Sequence, residues 1–224
     1  MPLTIILAEC GIELIPKEIR NRPAVKQNLE VQNYYSQLLD NALHHSAMHD
    51  LKNKDKRGRP DITHICLLNA LGSQLNKSGN LKLYLHTVTN KIFEVNPELR
   101  IARNYNRFKG LIANLLLYNE IVDGDNKLIT SVDGTLQDLL HNYQNSEIMV
   151  LSRKGTFVQN YQKLFPEQNS KNYIALIGGF QKGNFSKEIM ALSNNIVSIS
   201  QYPLDAWIVV NKIITYYEIT HNIV

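Results

Sequence analysis

Tyr173-Ile174-Ala175-Leu176-Ile177 is an unbroken apolar run of strand length, and Gly178-Gly179-Phe180-Gln181-Lys182-Gly183 follows it directly. A short apolar run closed by glycines reads as a buried parallel strand whose C-terminal end turns sharply. Glycine there permits positive φ and lets a ligand come close to the backbone. Open α/β sheets bind their ligands at that edge. A second loop of this kind, Ser198-Ile199-Ser200-Gln201-Tyr202-Pro203-Leu204, leaves the strand-like stretch from Asn195. Together the two loops suggest one backbone-lined pocket. Taken singly, each also reads as an ordinary strand-to-helix turn.

Working outward, the C-terminal half alternates regularly. Strands are expected over Ile148–Leu151, Tyr173–Ile177 and Ile196–Ile199, with helices over Thr156–Phe165, Phe185–Leu192 and Leu204–Ile219. Such alternation predicts an α/β fold, a parallel sheet flanked by helices. Thr4–Glu9 is a further buried strand. Lys82–Val95 reads as a β-hairpin around Thr89-Asn90, inserted in or appended to that sheet. Lys127–Thr130 is a short strand after the Asp123-Gly124-Asp125 turn. Helices are expected over Asn28–Met48, where Val31, Tyr34, Tyr35, Leu38 and Leu39 recur at helical spacing, and over Asp61–Leu71 behind Pro60. Two more are expected over Asn104–Tyr118 and Leu136–His141.

The chain has 224 residues and 44% hydrophobic content, enough to bury a core as one domain over residues 1–224. No apolar run reaches membrane-spanning length, and Met1–Cys10 is too short and strand-like for a signal peptide. Cys10 and Cys66 are too few for a disulfide framework or a cysteine zinc site, which fits a reducing cytoplasm. His44, His45 and His49 lack an obvious further ligand, so no metal is expected. The net charge of +4 is uneven: residues 1–112 carry 16 Lys/Arg and 10 Asp/Glu, residues 113–224 carry 8 and 10. A polyanion held by the first half and a small ligand by the second would account for this, as would an uneven solvated surface.

Two basic groups stand out. Arg100, Arg103 and Arg107 fall within an arc of about 60° if placed on one helix, at the edge of the apolar stripe Ile101, Phe108, Ile112 and Leu115. Guanidinium forks in such a row can grip phosphates. Arg57-Gly58-Arg59-Pro60-Asp61 ends a stretch in which Lys52, Lys54 and Lys56 are also basic. Asp61 can cap the following helix or orient Arg59. The Gly178 loop lacks the dinucleotide fingerprint, having no acidic residue about twenty positions on, and it lacks a Gly-Lys-Ser/Thr phosphate loop. A nicotinamide-dependent oxidoreductase is therefore disfavoured, and no nucleophilic serine or cysteine signature supports a hydrolase.

Several segments in order resemble the small-subunit ribosomal RNA pseudouridine N1-methyltransferases. They are Arg59-Pro60-Asp61-Ile62-Thr63-His64, Leu75-Asn76-Lys77-Ser78-Gly79, Glu94-Val95-Asn96-Pro97, Arg100-Ile101-Ala102-Arg103, Arg107-Phe108 and the two loops described above. Ala102 stands where some relatives carry proline. The resemblance implies a SPOUT-type sheet whose C-terminal chain forms a trefoil knot, with an RNA-binding extension around residues 48–110. It implies S-adenosyl-L-methionine in the knot, contacted by Gly178, Gly179 and Gly183 and by Ile199, Ser200, Gln201, Tyr202, Pro203 and Leu204. It places Arg59, Arg100, Arg103 and Arg107 on small-subunit ribosomal RNA, at a hairpin or loop containing pseudouridine. Arg59 and Asp61 are the catalytic candidates, with Asp61 as orienting group or base. A homodimer acting in ribosome biogenesis is implied. The alternatives are a non-catalytic RNA-binding assembly factor and a ribose 2′-O-methyltransferase of the same fold.

Overall fold

The computed structural model describes residues 2–29, 36–166 and 171–223. Among these, eight strands form one sheet: β1 (Leu3–Cys10), β2 (Leu81–Thr87), β3 (Ile92–Val95), β4 (Glu120–Asp123), β5 (Asn126–Val132), β6 (Ser146–Phe157), β7 (Asn172–Gly178) and β8 (Ile196–Ser198). Their order is β4-β5-β3-β2-β1-β7-β6-β8. From β2 to β8 all pairings are parallel, while β3, β5 and β4 extend the sheet antiparallel. The expected hairpin is present as β2 and β3, with Asn90 in the left-handed region at φ 61. It is continuous with the parallel strands rather than appended to them.

Helices are α1 (Pro23–Gln27), α2 (Asn41–His44), α3 (Pro60–Gly72), α4 (Gln74–Lys77), α5 (Tyr105–Tyr118), α6 (Leu136–His141), α7 (Lys187–Met190) and α8 (Ala206–Thr220). All eight residues of β1 are buried, as a central parallel strand requires. Its side chains alternate between two cores. Leu3, Ile5 and Leu7 face a large cluster with α3, α5 and α8, while Ile6 and Ala8 face a smaller one with α6 and α7. β7 repeats the pattern with Tyr173, Ala175 and Ile177 on one side and Ile174 and Leu176 on the other. Three long helices thus cover one face and two short ones the other.

Local sequence explains the helix ends. Pro60 opens α3, Asn104 caps α5 by accepting from the Arg107 N–H at 3.1 Å, and Thr135 and Asp138 form a capping box on α6.

Three expectations fail. The segment from Thr156 is not helical at its start: β6 runs to Phe157, and only Tyr161–Lys163 forms a short 3-10 turn. Pairing of Thr156 with Val197 and of Phe157 with Ser198 draws this stretch into the sheet. The helix expected over Asn28–Met48 is interrupted: α2 covers only Asn41–His44, and Leu38 bridges to Leu14 instead. Val31, Tyr34 and Tyr35 lie outside the described residues. The helical row of Arg100, Arg103 and Arg107 is also not formed, because Asn104 starts α5 and leaves Arg100 and Arg103 in the preceding connection.

Strand β6 meets β8 on both sides of a register shift. Leu151 and Thr156 are both opposite Val197, so the ladder is interrupted over Ser152–Gly155. A Cβ at Gly155 would sit 2.5 Å from the Ile196 carbonyl and the Val197 nitrogen, so the close passage of β8 needs glycine there.

Candidate active site

The C-terminal ends of three parallel strands converge on a cavity of about 400 Å³. Leu151, Ser152, Arg153 and Lys154 from β6 form one wall. Ile177, Gly178, Phe180 and Gly183 after β7 form a second, and Val197, Ile199, Ser200 and Leu204 after β8 a third, with Ala206 and Val209 of α8 behind. This is the edge at which an open α/β sheet presents backbone groups to a ligand. The volume suits a small organic molecule.

Of the residues expected to contact a cofactor, Gly178, Gly183, Ile199, Ser200, Tyr202, Pro203 and Leu204 line this cavity, while Gly179 and Gln201 do not. Gly183 has φ +105, a left-handed conformation that favours glycine. Gly179 is needed for another reason. Its N–H donates to the Ala8 carbonyl at 2.8 Å, and a Cβ would meet the Cys10 Sγ at 2.5 Å. It packs the loop against the end of β1. Gln201 is exposed outside the cavity wall. The loop after β8 holds its own shape: the Ser198 hydroxyl donates to the Ser200 carbonyl at 2.8 Å, and the Tyr202 N–H donates to the Ser200 Oγ at 3.0 Å.

The wall from Ser152 to Lys154 was not anticipated from sequence. Its signal was a polar, glycine-ended break after the apolar run Ile148–Leu151. Arg153, Lys154 and Lys182 make the cavity cationic, and no Asp, Glu or His is among the described residues that line it. Cys10 and Cys66 are buried, and burial pushes the Cys10 thiol up to about 12 and the Cys66 thiol well above its ordinary value. Neither is a nucleophile at neutral pH.

The basic segment lies directly against this edge. Gly11, just past β1, donates its N–H to the Gly179 carbonyl at 3.1 Å and accepts the Arg59 N–H at 2.9 Å. A Cβ on Gly11 would lie 2.6 Å from the Lys56 carbonyl oxygen, so only glycine allows this crossing. Arg59 forms a fork on Asp61, Nε to Oδ1 at 2.8 Å and Nη2 to Oδ2 at 2.6 Å. Hydrogen bonding to Asp61 raises the Arg59 pKa, so the guanidinium stays charged. Arg57 makes the same fork on Glu13, both contacts at 2.6 Å.

Arg100, Arg103 and Arg107 are all exposed, and their guanidinium groups make no ion pair or hydrogen bond among the described residues. The connection that carries Arg100 and Arg103 is nevertheless anchored. The His64 Nε2–H donates to the Ala102 carbonyl at 2.7 Å, and the His64 ring stacks on Phe108 at 4.3 Å. Tyr105 donates its hydroxyl to Asp40 at 3.1 Å. No group of three or more His, Cys, Asp or Glu side chains among the described residues is arranged to hold a metal ion. No helix of the described residues is long and apolar enough to cross a membrane.

Comparison with known proteins places these features in one family. The EMG1/NEP1 methyltransferase family profile matches residues 5–218. The ribosomal RNA small subunit methyltransferase Nep1 of Staphylothermus marinus is 42% identical over 231 residues, covering 100% of this chain and 98% of that protein. The protein of the same name from Saccharolobus solfataricus is 40% identical over 211 residues, covering 92% and 91%. The crystal structure of Archaeoglobus fulgidus Nep1 bound to S-adenosylhomocysteine superposes with a TM-score of 0.88 at 32% identity, covering 99% of this chain and 100% of that one. The chain belongs to the EMG1/NEP1 methyltransferase family.

Proposed function

We propose that this member of the EMG1/NEP1 methyltransferase family transfers a methyl group from S-adenosyl-L-methionine to N1 of a pseudouridine in small-subunit ribosomal RNA. The observation that carries the reading is the Gly11 junction. It sets a nucleoside-sized cavity and a basic RNA-facing loop back to back, as a two-substrate site requires. The names of the curated relatives support ribosomal RNA as substrate, and the S-adenosylhomocysteine in the related crystal structure supports the cofactor.

The cavity fits that cofactor. Leu151, Ile199, Leu204 and Val209 offer apolar cover for a heterocycle, and the turns at Gly178 and Gly183 expose backbone groups to its polar edges. When bound, the cofactor supplies a methyl group already activated on a sulfonium. The protein must therefore chiefly align an attacking nitrogen with that methyl group. Such positioning contributes up to about 7–11 kcal/mol.

Pseudouridine is carbon-linked to ribose, so its N1 carries a proton. The new N–C bond forms as the S–C bond breaks with its electron pair left on sulfur, and the N1 proton passes to solvent. Among the described residues, no side chain lining the cavity is a carboxylate or imidazole to take it. The Asp61 oxygens are engaged by Arg59, so Asp61 orients that guanidinium rather than acting as a base. A charged Arg59 near the base oxygens would favour the deprotonated ring. Arg100, Arg103 and Arg107 hold the RNA backbone, and the target base is flipped or presented in a loop.

The same reading includes a cytoplasmic homodimer acting in ribosome biogenesis and a trefoil-knotted C-terminal chain. The pairing of Val197 with both Leu151 and Thr156 supports a β6 that bends around β8. The test is transfer of labelled methyl to an RNA hairpin bearing pseudouridine or uridine at one position. Labelling of both alike would favour ribose 2′-O-methylation instead. Failure of calorimetry to detect cofactor binding would favour a non-catalytic assembly factor.

A further inference from the structure

Five cations crowd the segment Lys52–Arg59, yet they do different things. Lys52 and Lys54 are exposed, and Arg57 and Arg59 grip Glu13 and Asp61. Lys56 instead turns inward. Its Nζ lies 2.7 Å from Glu9 Oε2, and the two side chains are only 15% and 11% exposed.

Glu9 sits at the C-terminal end of β1 in the left-handed region, φ 55, which non-glycine residues seldom adopt. Its carboxylate also accepts the Ser186 N–H, 3.3 Å from each oxygen. Ser186 ends the glycine loop and caps α7. The Lys56 ammonium lies 4.9 Å from the centre of the Phe180 ring, and Phe180 lines the cavity. Two backbone contacts run the same way: Lys182 N–H to the Asp55 carbonyl at 3.4 Å, and the Gly179–Gly11–Arg59 ladder.

We propose that the Glu9–Lys56 ion pair is a positioning element that couples occupancy of the cofactor cavity to ordering of the basic loop Asp55–Arg59, so that each substrate favours binding of the other. The inference rests on the two-substrate reading above. A buried ion pair is a poor source of stability, since apolar side chains of similar size do as well. What this pair does that apolar packing would not is lock three segments, the end of β1, the basic loop and the glycine loop, into one directional contact. A ligand that rigidifies the glycine loop then lowers the entropy still to be lost when RNA orders the basic loop, and the effect is reciprocal.

Amide hydrogen exchange tests this in the wild-type protein. S-adenosylhomocysteine alone should slow exchange at Gly178–Ser186 and also at Asp55–Arg59. A pseudouridine-containing RNA hairpin alone should slow both as well. Saturating RNA should tighten S-adenosylhomocysteine binding roughly fivefold, the low end of typical coupling. Lys56→Met should bring that factor to about one while each ligand still binds alone, and Lys56→Arg should restore it. Slowing at Gly178–Ser186 without slowing at Asp55–Arg59 would overturn the coupling alone. No slowing at Gly178–Ser186 would overturn the cofactor reading and the coupling with it. A folded Lys56→Met that keeps the wild-type factor would overturn the role of the ion pair. Should that variant fail to fold, wild-type exchange still decides.

Discussion

Gly11 and Gly179 are joined backbone to backbone, the Gly11 N–H donating to the Gly179 carbonyl at 3.1 Å. Each approaches a neighbour too closely for a side chain: a Cβ on Gly11 would lie 2.6 Å from the Lys56 carbonyl, and one on Gly179 would lie 2.5 Å from the Cys10 Sγ. The junction between the basic loop and the glycine loop is therefore made of backbone.

Gly11→Ala should destabilise the fold by about 1–3 kcal/mol, because the obstacle is backbone that must shift. It should also weaken both ligands, since the basic loop and the glycine loop meet there. Urea unfolding and calorimetry with each ligand measure the two effects. Normal stability with normal affinities would refute the close crossing.

Arg103→Ala should weaken RNA binding and lower the slope of log K against log salt by about 1, leaving S-adenosylhomocysteine affinity unchanged. The exposed guanidinium has no protein partner among the described residues, so little stability should be lost. RNA titrations at several salt concentrations give the slope. An unchanged RNA affinity would remove Arg103 from the interface.

Asp61→Asn should loosen Arg59 without unfolding the protein. The pair is partly exposed, 21% and 37%, so its worth is at most about 1 kcal/mol. A roughly fivefold loss of RNA affinity or of kcat/KM, with cofactor affinity intact, is expected. A collapse of activity by several orders of magnitude would point instead to Asp61 as the base.

His86 supplies a pH dependence. Its Nδ1 accepts the Glu9 N–H at 3.2 Å, so the ring proton is on Nε2, facing the Asn90 Oδ1 at 3.2 Å. Burial holds its pKa below the ordinary 6.5, against the smaller opposing influences of the Asn90 hydrogen bond and the Glu9 charge. Between the folded pKa and 6.5 the unfolded chain binds more protons, so this contribution to stability is full above pH 6.5 and is lost as pH falls. Urea midpoints should be lower at pH 5 than at pH 7. His86→Asn keeps an acceptor for the Glu9 N–H without titrating, so it should narrow that difference. An equal difference in the variant would exclude His86.

Where local signals agree with tertiary pairing, the chain was readable. The apolar runs of β1 and β7 identify their strands unaided, and the helix expected over Leu136–His141 is α6. The stretch from Thr156 misled because Phe157, Val158, Tyr161, Leu164 and Phe165 are spaced as in a helix, while partners forty residues away make Thr156 and Phe157 strand. The spacing of Arg100 and Arg103 fits a helical arc, yet the helix begins only at Tyr105, behind the Asn104 cap. The two loops that line the cavity were legible through their glycines, yet Gly179 serves packing rather than the cavity wall. Glu9 gave no signal at all, because its partners Lys56 and Ser186 are distant in sequence.

Transfer of a methyl group to N1 of pseudouridine would leave a modified base that mass analysis distinguishes. The most direct measurement is mass mapping of nucleosides after incubating the protein, labelled S-adenosyl-L-methionine and paired RNA hairpins that differ only in pseudouridine or uridine at one position. Label is expected solely on the pseudouridine base at N1, with S-adenosylhomocysteine formed in equal amount. Label on both hairpins, or on a ribose 2′ oxygen, would contradict N1 transfer.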